Sequence, residues 1–147
     1  MERREGGLLV AQVHQLGGRV FGRLLREHGA EETSPAQGRI LYVLWNEDGL
    51  LQSELVARTR LDKSTLALML KRMEAEGHLE RRKDSCDRRV RRIFLSPRSR
   101  VQTSRWDKAS RAMNSAFYQG IADADIEVFE RVLRQILSNL ESAQEGT

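Results

Sequence analysis

A single cysteine, Cys86, leaves the chain without a partner for an intramolecular disulfide. Long apolar runs are missing too, since none approaches the roughly 20 residues that a bilayer span needs. The first seven residues hold no apolar stretch leading to a small-residue cleavage site. They do not read as a secretory signal, and a cytoplasmic address away from membranes is expected. The three histidines, His14, His28 and His78, lie far apart and share no ligand-like spacing with Cys86, so neither metal nor cofactor is expected. A glycine-rich phosphate loop, a paired metal-ligand motif and a nucleophile elbow are all absent. No catalytic residue is assigned, and an enzyme is not expected.

What the chain does have is helix-forming material and one concentrated charge. With only 2 prolines and 11 glycines among 147 residues, 39% of them hydrophobic and 31% charged, it suits one ordered domain, or one domain plus a dimerisation element. The stretch "RRKDSCDRRVRR", residues 81–92, sets seven basic side chains against two carboxylates. Its charge of +5 exceeds the net +4 of the whole chain, which leaves −1 for everything else. A charge run is most often a solvated face. Concentration of all the net charge in one element points instead to a polyanion.

Periodicity supplies the context of that run. Leu9, Val13, Leu16, Val20 and Leu24 recur at helical spacing, and Gly29 is a stop. "SPAQ", residues 34–37, combines an N-cap serine, a first-turn proline and a glutamine three residues after the cap. A helix is predicted over 35–46, burying Ile40, Leu41, Leu44 and Trp45. Two short helices follow, over 52–59 and 63–76, with Leu55 and Val56 inward, Ala57 in close contact, and Leu66, Leu70 and Met73 as a stripe. Asp62 is the N-cap and Gly77 the stop of the second. Only residues 60–62 separate the two, which is the spacing of a helix-turn-helix.

Residues 78–83 and 90–95 are short β-compatible segments around the turn-rich residues 84–87, so the basic run reads as a hairpin. A basic hairpin directly after a helix-turn-helix is a wing, with strands for the duplex backbone and a tip for the minor groove. "SPRS", residues 96–99, starts a long helix to about Gly120 with apolar Val101, Ala109, Ala112, Met113, Ala116 and Phe117. A last helix from Asp123 carries Ile126, Phe129, Leu133, Ile136 and Leu140. The terminal helices would leave apolar surface exposed on a monomer, and a symmetric helical dimer would bury it.

The stretch "ELVARTRLDKSTLALMLKRMEAEGHLERRKDSCDRRVRRIFLSP", residues 54–97, resembles the MarR-type winged helix-turn-helix transcriptional regulators. The resemblance rests on Leu-Asp-Lys-Ser-Thr entering the second helix, Arg-Met-Glu-x-x-Gly leaving it, and the Asp-x-x-Asp-Arg-Arg hairpin; the helix order extends it along almost the whole chain. It implies a mainly α fold with a small β-hairpin wing, divided into an N-terminal dimerisation helix (residues 1–34), a winged DNA-binding domain (35–96) and C-terminal dimerisation helices (97–147). The expected activity is that of a homodimeric, ligand-responsive repressor on a pseudo-palindromic operator. Double-stranded DNA, a second copy of the chain and a small aromatic effector are its implied partners.

The expected DNA contacts are Lys63, Ser64, Thr65, Lys71 and Arg72 of the recognition helix and Asp87, Arg88, Arg89 and Arg91 of the wing, with Arg89 entering the minor groove and Asp87 bracing it. Arg91 and Arg92 should point to opposite faces of the hairpin. Ala67 and Leu68 stand where relatives carry polar Thr and Arg, and Leu51 stands where they carry a Ser or Thr cap. At positions 67 and 68 a methyl-bearing side chain can touch thymine but cannot hydrogen-bond a base edge. Cys86 is read as an incidental exposed thiol rather than a redox sensor. His14, Tyr42, Trp106 and Arg111 are candidates for an effector pocket. The rival reading is a winged-helix protein-interaction module, which salt dependence would separate from DNA binding.

Overall fold

The computed structural model describes residues 3–30 and 34–146; of the opening residues read above, Met1 and Glu2 lie outside that range. Six helices and one hairpin follow in the order α1 (Gly6–Glu27), α2 (Pro35–Asn46), α3 (Gln52–Thr59), α4 (Lys63–Ala75), β1 (Leu79–Lys83), β2 (Arg91–Leu95), α5 (Pro97–Phe117) and α6 (Asp123–Glu145). The chain divides into two compact units at Asn114, so that α1 to β2 and most of α5 belong to the first. A mainly helical winged fold is thus present. No helix among the described residues is long and apolar enough to cross a membrane.

Local signals set most of these boundaries. At the head of α2, Ser34 Oγ accepts from Gln37 N at 3.1 Å while Gln37 Oε1 accepts from Ser34 N at 3.3 Å. This reciprocal box satisfies two backbone donors that the first turn leaves without partners. α3 starts without a hydroxyl cap, and Glu54 substitutes by accepting from Leu51 N at 3.1 Å. Asp62 caps α4, accepting from Thr65 N at 2.8 Å. The three-residue turn before it works because Arg60 takes the left-handed conformation at φ 57° and the buried Thr59 hydroxyl donates to Leu55 O at 2.6 Å.

The main core of the first unit draws Ile40, Leu41 and Leu44 from α2, Leu55 from α3, Leu66, Leu70 and Met73 from α4, and Leu79, Ile93 and Leu95 from the hairpin. β1 and β2 pair antiparallel, Leu79 with Leu95 and Lys83 with Arg91. A third backbone segment joins them, since Gly49 N donates to Ile93 O at 3.0 Å and Ile93 N to Leu50 O at 2.8 Å. Gly49 is required there: its φ is +72°, and a Cβ would meet the Phe94 ring at 2.9 Å. A second cluster gathers Leu25, Ala30, Trp106 and Ala109, with Phe21 edge-on to the Trp106 ring at 5.5 Å.

The second unit comprises the end of α5, a turn through Gly120 and α6. Phe117 and Tyr118 stack edge-on at 4.9 Å, and Tyr118 Oη donates to Glu130 Oε1 at 2.9 Å. Val128, Phe129, Val132, Ile136, Leu137 and Leu140 of α6 remain exposed, as do Leu8, Leu9, Val10, Val13 and Leu16 of α1.

Several expectations need correction. α5 ends at Phe117, three residues before Gly120, and α4 ends at Ala75 with Glu76 as its cap. Val101 and Ala57 are exposed, and Trp45 is only half-buried. The buried stripe of α5 is Ser99, Thr103, Trp106 and Ala109. Apolar counting misses it because two of its members carry hydroxyls, of which that of Thr103 donates to Ser99 O at 2.7 Å. A hydroxyl whose bond is made within the backbone is buried at little cost.

Leu66 and Leu68 lie on opposite sides of α4, the first fully buried and the second exposed. Leu66→Ala should therefore cost about 2–5 kcal/mol, and Leu68→Ala less than about 0.5 kcal/mol. Urea unfolding midpoints measure both, and equal shifts would contradict the packing described.

Candidate nucleic-acid interface

α4 has two unlike faces because its buried positions recur at spacings of four and three. Leu66, Leu70 and Met73 fix one side to the core. Ser64, Leu68, Lys71 and Arg72, also three and four apart, then share the opposite side, and all four are exposed. Lys63 and Thr65 are exposed at the helix start, where Thr65 Oγ1 donates to Asp62 Oδ2 at 2.5 Å. That bond, with the one from Thr65 N, holds the Asp62 carboxyl below the usual carboxylate range. The Thr65 hydroxyl is thus engaged in the cap and keeps only its acceptor capacity toward a partner. Ala67 is half-buried beside the face, separating it from Leu68.

In the hairpin, strand alternation divides the arginines as expected. Arg91 is exposed, while Arg92 turns inward. Its Nε donates to Asp84 Oδ1 at 2.6 Å and its Nη1 to Gly49 O at 3.0 Å, with Glu54 at 3.9 Å. Asp84 uses its other oxygen to accept from Cys86 N and Asp87 N, each at 3.1 Å. The Arg92 guanidinium, followed by those two amides, holds the Asp84 carboxyl below its usual range. One side chain thereby shapes the turn and fastens it to the body of the domain.

Asp87 in turn accepts from Arg89 N at 3.0 Å and from Arg89 Nε at 3.3 Å. The bracing leaves the guanidinium outside, since the Arg89 side chain is 92% exposed. Arg88 and Arg91 are exposed and, with Lys63, Lys71 and Arg72, make no ion pair among the described residues. By contrast Arg81 Nε donates to Glu74 Oε2 at 2.8 Å, tying β1 to α4, and Arg82 lies over the Phe94 ring at 4.6 Å. The run of seven cations therefore splits: Arg81, Arg82 and Arg92 hold the wing, and Lys83, Arg88, Arg89 and Arg91 face solvent. Cys86 is exposed at the turn with Ser85 Oγ at 3.9 Å.

A cavity of about 150 Å³ lies in the same unit, bounded by Leu41, Met73, Glu76, His78, Gln102 and Trp106 among others. Of the four residues expected to line an effector pocket, Trp106 does so. Tyr42 is exposed with its ring 6.2 Å from that of Trp106, His14 is exposed on α1, and Arg111 is exposed and paired with Asp107 at 3.0 Å. Sequence reasoning missed Glu76 and His78, whose Oε2 and Nε2 atoms approach to 3.5 Å just past the end of α4. Trp106 Nε1 and Gln102 Oε1 are buried without a hydrogen-bond partner among the described residues. No cluster of three or more His, Cys, Asp or Glu able to hold a metal occurs among the described residues.

Known proteins share this architecture. Residues 33–90 match the MarR family. The chain is 42% identical over 90 residues to the HTH-type transcriptional regulator TtmR of Methylorubrum extorquens, a match that covers 61% of this chain and 45% of that protein, less than half of its length. Among solved structures it resembles the PcaV transcriptional regulator of Streptomyces coelicolor in complex with its natural ligand, with a TM-score of 0.73 at 25% identity over 94% of this chain and 97% of that one. The transcriptional repressor CouR of Rhodococcus jostii, bound to a 23-mer DNA duplex, has the same fold at 18% identity, with a TM-score of 0.73 over 93% and 99% of the two chains. These neighbours are transcriptional regulators rather than enzymes.

The depressed Asp84 carboxyl gives a pH dependence of known sign. A group whose acidity rises on folding stabilises the folded turn above the ordinary carboxylate range and stops doing so as pH falls through its lowered value. Protection of the Cys86 and Asp87 amides from hydrogen exchange should hold at neutral pH and fade only below that range. Asp84→Asn should lower the protection at neutral pH and remove its pH dependence, and a variant with unchanged protection would remove Asp84 from this role.

Proposed function

We propose that the chain, whose residues 33–90 match the MarR family, is a cytoplasmic, sequence-specific transcriptional regulator of that type, a repressor that binds a pseudo-palindromic operator as a homodimer. The observation that carries this reading is the set of exposed cations that have no ion-pair partner among the described residues, on the outer face of α4 and on the wing. Cations left unpaired in a chain that has 21 acidic residues available are suited to an external polyanion. In this reading Lys63, Ser64, Thr65, Lys71 and Arg72 meet the major groove and its phosphates. Arg88 and Arg91 take backbone phosphates, and Arg89, braced by Asp87, enters the minor groove.

The exposed apolar faces of α1 and of α6 support a dimer, because a soluble monomer rarely leaves such rows uncovered. Residues 1–34 and 97–147 then serve dimerisation, and residues 35–96 bind DNA. A small aromatic effector is assigned to the cavity beside Trp106, whose floor includes Met73 and Glu76 at the end of α4. The ligand-bound PcaV and the DNA-bound CouR support the same pairing of activities. A ligand that moves the end of α4 also moves the groove-facing side of the helix, which is the coupling an effector needs. Catalysis forms no part of the proposal.

The second reading, a protein-docking winged helix, draws on the exposed Leu68. Fluorescence anisotropy separates the two, using a labelled duplex from upstream of the protein's own gene beside a scrambled duplex, at two salt concentrations. Tighter binding to the native duplex that weakens as salt rises supports the regulator. Binding to neither duplex, with salt-insensitive capture of a protein, would favour the docking module. Arg89→Ala should weaken operator binding by about 1–3 kcal/mol without moving the urea midpoint, and Arg91→Ala should lower the salt slope by about 1. Unchanged affinity for Arg89→Ala in the same titration would rule out its minor-groove role.

A further inference from the structure

Leu68 is the most exposed large hydrophobic side chain among the described residues, at 65%, and it sits in the middle of a polar, cationic face. Ser64 lies one turn before it and Lys71 and Arg72 one turn after, all on the side of α4 away from the core. Nothing in the fold uses Leu68, since the core-facing positions are filled by Leu66, Leu70 and Met73. Its flanking charges argue against an apolar protein groove as the occupant and for a polyanion. A duplex that meets Lys71 and Arg72 with its phosphates presents a groove floor to the residue one turn before them. The apolar group on that floor is the C5-methyl of thymine.

We propose that Leu68 is a specificity-determining contact that reads a thymine methyl in the major groove. The assignment rests on the reading of α4 as the recognition helix. It adds a base preference that the polar residues of the helix do not supply. A leucine gains nothing from the hydrogen-bonding edges of a G·C pair and leaves them unsatisfied, so the position should select thymine by attraction and disfavour cytosine by desolvation.

The test removes only the methyl. The full chain is first used to select an operator from a pool of random duplexes. Each thymine of the enriched site is then replaced singly by uracil, which keeps every base-pairing and groove hydrogen bond. For the wild-type chain one thymine in each half-site should lose about fourfold in affinity on replacement, the worth of one methyl taken out of water. Leu68→Ala should bind thymine and uracil duplexes equally while retaining the wild-type melting temperature and salt slope. A flat uracil scan on an enriched operator would overturn this inference and leave the DNA-binding reading intact, and so would a loss that persists in Leu68→Ala. A pool that yields no enriched sequence would overturn both.

Discussion

The contact on which the winged domain depends is the one between Arg92 and Asp84. A two-stranded hairpin is marginal by itself in water, and this one carries seven cations that repel each other. Asp84 spends one oxygen on Arg92 Nε at 2.6 Å and the other on the amides of Cys86 and Asp87. Arg92 also donates from Nη1 to Gly49 O. The turn, the strand and the loop between α2 and α3 become one piece. The Leu50–Ile93 bridge and the bond from Leu95 N to Asp48 Oδ1 at 3.0 Å continue that attachment toward the base of the wing.

This arrangement sorts a single charge run into two jobs. Cations whose side chains point toward the domain find carboxylates, a carbonyl or an aromatic face, and they give the hairpin its position. Cations on the other positions find only water. Their charges are held apart from internal partners, which is what a contact with phosphate requires, because an arginine already paired has little to gain from a second anion. Arg89 is intermediate: Asp87 aims it without covering it. Such a brace would lower the entropy lost in the minor-groove contact proposed for Arg89.

The same logic governs α4. Its core stripe fixes the rotation of the helix, and the rotation decides which residues face outward. A leucine on that outer face is unfavourable in water, so its exposure points to a use outside the monomer. The exposed rows of α1 and α6 are a different case, being continuous apolar faces at helical spacing rather than one residue among cations.

The positions of the elements were legible from the residues because capping and turn chemistry are local. Ser34, Pro35 and Gln37 start α2, Asp62 starts α4, and Gly29 and Gly77 stop helices at positive φ. Alternation alone put Arg91 and Arg92 on opposite faces. What the sequence could not disclose depends on residues distant along the chain. Arg92 meets Gly49 across 43 positions, the buried Thr103 hydroxyl of α5 looks polar until its backbone partner is seen, and Glu76 and His78 join Trp106 around a cavity only once α4 and α5 have packed. Local hydrogen bonds write periodicity into sequence, whereas a cavity or a long-range ion pair exists only after the core has closed.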